Sequence, residues 1–133
     1  MAGPSEFVGN AQLVIDRFGE WPSFHDAEVM RLSLDRNGRV LTLELMAFTM
    51  LDEVDDRGYF KHANQSLVTL RFAGINDVSL EGFNEQNVIS GLFLTKDDDA
   101  LKVVVSPLYG LSTEFSCARA DVERIEGLND REV

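Results

Sequence analysis

Trp21-Pro22-Ser23-Phe24-His25-Asp26-Ala27-Glu28 holds the one Trp of the chain, one of its two His and two carboxylates. An imidazole beside a carboxylate can shuttle protons, so His25 and Asp26, with Glu28 and the second imidazole His62, compose a candidate acid–base set for a small hydrolase-like enzyme. The same donors suit zinc. Their spacing, however, matches neither an HExxH helix nor paired CxxC ligands, and no nucleophile elbow, phosphate-cradling loop or dinucleotide fingerprint occurs elsewhere. Neighbouring residues on a strand point to opposite faces, so His25 and Asp26 converge only if the motif is a turn. The structural alternative has Asp26 cap that turn or accept a bond from His25, fixing its tautomer. Trp21 and Phe24, with Tyr59 and Phe60, offer either an aromatic binding surface or core packing; the expectation here is that Trp21 closes a helix onto a sheet.

A second dense segment is Gly82-Phe83-Asn84-Glu85-Gln86-Asn87. Side-chain amides carry both donors and acceptors, and in loops they satisfy main chain. Asn84, Gln86 and Asn87 are therefore expected to hold their own loop, with Phe83 anchoring it to the core. Tyr109-Gly110 reads as a turn after a strand ended by Pro107. Two acidic clusters remain, Asp52, Glu53, Asp55 and Asp56, and Asp97, Asp98 and Asp99, the latter expected at a solvated hairpin tip rather than in a metal loop.

The elements that must carry these groups follow from periodicity. Residues 6–18 place Phe7, Leu13, Val14, Ile15 and Phe18 at helical spacings, with Gly9 weakening the first turn and Gly19 as a stop. From Glu28 the period is two: Met30, Leu32 and Leu34 alternate with Arg31, Ser33 and Asp35. Asn37-Gly38 predicts a type I′ hairpin into a return strand over about 39–50. Further strands are predicted over 66–74, 78–80 after an Asn76-Asp77 turn, 88–95, 100–107 and 111–117, while 121–126 reads equally as strand or helical turn. The expected fold is mainly β (α+β): one domain over 1–133, a curled antiparallel sheet or sandwich-like layer with one N-terminal helix packed on it.

With 23 acidic against 12 basic residues the 133-residue chain carries a net charge of −11, which repels phosphate backbones and disfavours nucleic acid as a partner. The lone Cys117 forbids an internal disulfide and fits a reducing compartment. No secretory or membrane-spanning apolar run occurs, so the expected location is the cytoplasm, without a membrane partner. No cofactor is expected.

On Trp21 through Glu28, on Gly82-Phe83-Asn84-Glu85-Gln86-Asn87-Val88-Ile89, and on Tyr109-Gly110 followed by Phe115 and Cys117, the chain resembles the immunity protein 50 family of bacterial polymorphic-toxin systems. The motifs recur in matching order from about residue 20 to 118; the first two are moderately specific and the third is weak alone. The resemblance implies a small, mainly β protein that neutralises a cognate toxin by binding it, with neither catalytic mechanism nor cofactor. It implies a scaffold role for the motif residues and leaves recognition to other surface. Under it, the two acidic clusters would steer a basic toxin. The competing readings are the enzyme or metal protein built on His25, Asp26, Glu28 and His62, and an interaction module with no toxin partner.

Overall fold

The computed structural model describes residues 4–54, 56–58 and 60–128, and for 50–53 and 60–62 the backbone alone. A single helical turn, α1 (Pro4–Phe7), leads into the two-residue strand β1 (Val8–Gly9) and then into α2 (Ala11–Phe18). The helix predicted over 6–18 is thus broken at Gly9-Asn10, where Asn10 takes a left-handed φ of 58°. Eight strands follow: β2 (Glu28–Asp35), β3 (Val40–Val54), β4 (Phe60–Ala73), β5 (Asn76–Glu81), β6 (Val88–Asp97), β7 (Ala100–Tyr109), β8 (Ser112–Cys117) and β9 (Arg119–Gly127). The C-terminal segment left open between strand and helix is a strand, because Ala120 and Val122 alternate into the core with exposed neighbours.

Together the strands form one open, mainly antiparallel sheet in the order β1-β9-β4-β3-β2-β6-β7-β8-β5. β1 is its parallel member, pairing Val8 with Ala120. The order contains a weak joint. β3 and β4 share a ladder from Val40↔Ala73 to Val54↔Phe60, whereas β2 meets β6 in the single pair Glu28↔Val88. Two half-sheets, five strands and four, therefore hinge at this line. Their inner faces close on each other: Phe72 of β4 meets Phe115 of β8 edge-to-face at 5.1 Å, although the two strands stand five places apart in the sheet. Such contact requires the sheet to curl back on itself. The enclosed core includes Leu41, Leu43 and Leu45 of β3, Val68 and Leu70 of β4, and Val103 and Val105 of β7, all at most 2% exposed.

α2 covers the β9 side of the five-stranded half. It buries Ala11 and Val14, and Arg17 fastens it by donating from Nε to Ser66 Oγ at 2.8 Å and from Nη2 to the Gln65 carbonyl at 3.2 Å. None of the described helices is long and apolar enough to cross a membrane.

Three local expectations differ from the structure. The β2–β3 turn places its left-handed residues at Gly38 and Arg39 rather than Asn37-Gly38, with Arg39 N–H donating to the Arg36 carbonyl at 3.2 Å. A four-residue connection wins over the two-residue type I′ turn because the ladder opens at Asp35↔Val40. Asn76 and Asp77 belong to β5, where Asp77 (φ 56°) makes a bulge and the turn falls on Gly74. Pro107 sits inside β7 opposite Ile89, at a register shift where no ladder donor is demanded of it.

Candidate functional site

The Trp21–Glu28 motif builds the joint between the half-sheets. Four main-chain hydrogen bonds fasten it to β6 and the residue before it: Leu92 N–H to the Ser23 carbonyl (3.0 Å), Asp26 N–H to Ile89 (2.9 Å), Ile89 N–H to Ala27 (2.9 Å) and Val29 N–H to Asn87 (2.7 Å). Phe24 and Asp26 both take positive φ, 65° and 68°. For a bulky residue this conformation costs about 1–2 kcal/mol. Burial of the Phe24 ring, 3% exposed, offsets it. Trp21 packs edge-to-face on that ring at 5.8 Å and covers it from outside, itself half-buried. Its Nε1–H is buried with no acceptor among the described residues.

His25 lies on this joint with its ring 60% exposed. Nδ1 is 3.0 Å from the Ser90 carbonyl oxygen, which can only accept, so Nδ1 carries the proton. Nε2 faces Asp26 Oδ1 at 3.5 Å. An acid–base imidazole needs one nitrogen oriented by a partner and the other free for substrate. Here Nδ1 is oriented by Ser90, while Nε2, unprotonated in this tautomer, lies near the Asp26 carboxylate on a largely exposed ring. Asp26 stands beside His25, and Glu28 opens β2 opposite Val88. His62 lies on β4 opposite Met50, with β3 and β2 between its strand and the joint, so the backbone does not bring the two imidazoles' strands together. Among the described residues no group of three or more His, Cys, Asp or Glu is placed to hold a metal. Cys117 is buried in the core, and desolvation pushes its thiol up to about 11.

The second and third motifs meet the first at Asn87. This side chain is 3% exposed and makes three bonds: Oδ1 accepts from Asn84 N–H (2.9 Å) and Leu111 N–H (3.0 Å), while Nδ2 donates to the Asn84 carbonyl (2.8 Å). Its own carbonyl accepts from Val29, so one residue ties the joint, the amide loop and the turn after β7 together. The turn packs so closely that a Cβ on Gly110 would lie 2.5 Å from the Gln86 carbonyl, and one on Gly82 would lie 2.6 Å from the Gly110 carbonyl. Both glycines have positive φ. Asn84 and Asn87 thus satisfy main chain as their types suggested. Gln86 is exposed, and its backbone carbonyl is what packs against the turn. Phe83 does not anchor the loop. It is 53% exposed, because the Asn87 bonds hold the loop without it and leave its ring outside. Tyr109, 67% exposed, likewise projects from the last residue of β7. Sequence reasoning missed this exposed pair; an aromatic beside a glycine in a turn was the available signal.

The two acidic clusters stand apart. Asp97-Asp98-Asp99 caps the β6–β7 hairpin, exposed, between two open grooves of about 360 and 420 Å³ that these residues help to line. One groove includes Glu6 and Asp121, the other Arg39 and Gly74. Asp121 is held by Arg119 at 2.7 and 3.0 Å, whereas Asp98, Asp99 and Glu6 have no ion-pair partner among the described residues. Gly74 and Arg39 mark one end of the β3–β4 ladder. Asp52 and Glu53, whose side chains lie outside the description, are on β3 at its other end, with exposed Asp56 just beyond and Asp55 outside the described residues. At about 3.3 Å per residue the ladder separates the clusters by on the order of 40 Å. Tyr59, Phe60's side chain and His62's side chain also lie outside the described set.

A family model described as immunity protein 50 matches residues 10–128. No curated protein matches the chain. Among solved structures, an uncharacterized protein from Neisseria gonorrhoeae is similar at 16% identity over 79% of this chain and 94% of that one, with a TM-score of 0.48. The family match takes in the joint, the amide loop and the turn after β7 in a single span, and on it the chain belongs to the immunity protein 50 family.

Proposed function

We propose that this protein is an immunity-type binding protein that neutralises a cognate bacterial toxin by stoichiometric association in the cytoplasm of the producing cell. The observation that carries the reading is the family match across residues 10–128. Two physical features support it. The net charge of −11 favours a basic partner, and the unpaired carboxylates of Asp98 and Asp99 on a protruding tip are placed to accelerate encounter rather than to strengthen the final complex. The cluster from Asp52 to Asp56 has the same role at the far end of the long ladder. The enzyme reading on His25, Asp26, Glu28 and His62 has less support, since β3 and β2 separate the strand of His62 from the joint that carries His25.

The test is co-purification with the product of a neighbouring toxin gene, followed by growth rescue of cells expressing that toxin. The expected outcome is a complex of fixed stoichiometry and restored growth. Failure of both, or substrate turnover by the purified chain that vanishes in a folded His25→Gln variant, overturns the reading.

A further inference from the structure

The corner where β5, the amide loop and the end of β7 meet is exposed, apolar and rigid. Phe83 follows Gly82 and Tyr109 precedes Gly110, and these two glycines pack backbone to backbone, so the aromatics flank one contact. Leu80 of β5 is 38% exposed; Leu108, 46% exposed, precedes Tyr109 on β7 and so faces the other side of the sheet. Isolated exposed apolar residues are ordinary on a protein surface, but two aromatics with Leu80 beside one backbone contact point to an interaction surface.

Neither aromatic is on a loose segment. The three bonds of buried Asn87 and the two glycine contacts immobilise the backbone on both sides, so a partner would meet preset anchors at little entropic cost. β5 is the last strand of the sheet, and its outer edge has no strand partner among the described residues. That edge supplies main-chain donors and acceptors beside the apolar centre.

Charge identifies the occupant. Residues 72–95 and 103–118 contain no Lys or Arg, while Glu81 and Glu85 stand exposed beside the aromatics. Of the cations on neighbouring strands, Arg31 of β2 lies 3.9 Å from Glu44, and Lys102, near the far end of β7 from Tyr109, is held by Glu114 at 2.7 Å. A second copy of this chain would bring the same carboxylates and a net charge of −11. We infer that the Phe83–Tyr109 corner is the docking surface for a basic protein partner, its aromatics filling apolar recesses and Glu81 and Glu85 pairing with Lys or Arg at the rim. This rests on the proposed immunity function and locates it on a surface distinct from both acidic clusters.

The experiment measures binding of the catalytically inactivated product of the neighbouring toxin gene to the wild-type chain, to a Phe83→Ala/Tyr109→Ala variant, to a Glu81→Lys/Glu85→Lys variant and to an Asp98→Asn/Asp99→Asn control. The aromatic variant is expected to keep its melting temperature and bind roughly 30-fold more weakly, mostly through faster release. The charge reversal is expected to bind more weakly, and the control to keep its release rate. If wild type binds and rescues growth but both corner variants bind equally well, the corner falls and the immunity function stands. If wild type neither binds nor rescues, both fall. Should the aromatic variant misfold, the charge-reversal variant decides alone. A wild-type dimer in sedimentation that the aromatic variant disperses would assign the corner to a second copy and overturn the basic partner.

Discussion

Residues 23–29, between α2 and the start of β2, and residues 97–99, between β6 and β7, each concentrate ionisable side chains, and the fold treats them in opposite ways. At the joint, His25 donates to the Ser90 carbonyl and faces Asp26, while the surrounding main chain makes three bonds to β6 and one to Asn87 just before it. At the hairpin tip, Asp98 and Asp99 have no ion-pair partner among the described residues and face solvent. A histidine beside a carboxylate looks more like chemistry than three aspartates do. Whether a polar group is available to a partner depends on how far its own backbone environment already uses it, and residue type alone does not report that.

Substitutions should separate the two regions in order of size. Asn87→Ala removes three bonds at a buried site and strands the amides of Asn84 and Leu111, so chemical denaturation should show a loss of about 3–5 kcal/mol. A loss below about 1 kcal/mol would break the view that this residue ties the motifs together. Cys117 calibrates the interior. Its folded-state pKa is raised by burial to about 11 from a reference of 9.0, so its contribution is complete below pH 9 and is lost as pH rises toward 11, where the unfolded chain releases the proton first. Stability should fall by about 2–3 kcal/mol across that window in wild type and stay flatter in Cys117→Ala. Thiol alkylation at neutral pH should wait for unfolding.

His25→Gln should cost no more than about 1 kcal/mol, since the ring is well exposed and loses one bond to a carbonyl. A larger loss, measured by thermal melting, would give the imidazole a structural weight its exposure does not suggest. The smallest stability effect belongs to Asp98→Asn/Asp99→Asn, within about 0.5 kcal/mol of wild type. Its signature is kinetic: slower association with a basic partner at low ionic strength, converging with wild type as salt rises. Equal association rates at low salt would remove the tip from the binding account and sharpen the case for the aromatic corner.

Much of the fold is legible from local pattern. The period-two runs of Leu41, Leu43 and Leu45 and of Val68, Leu70 and Phe72 declare their strands, and Asp97 to Asp99 declares a solvated turn, because such signals depend on neighbours within a few residues. The strand β1 at the helix break, where only Gly9 gave a warning, and the Phe83 reversal were not legible. The first depends on β1 pairing with β9 more than a hundred residues away, the second on Asn87 bonding Leu111 across the sheet. The candidate site was legible as a set of motifs but not as an arrangement. Its segments are far apart in the chain, and an amide side chain does not announce which main chain it will bond.

Composition and alternation thus suffice for the strands, the negative surface and the class of fold, since each reflects the hydrophobic or charged character of residues close in sequence. The curl of the sheet, the single joint between its halves, the spending of His25 on Ser90 and the exposure of Phe83 and Tyr109 arise from contacts between distant segments. Those contacts are settled by packing and by saturation of buried hydrogen bonds over the whole domain, and no local stretch encodes them alone.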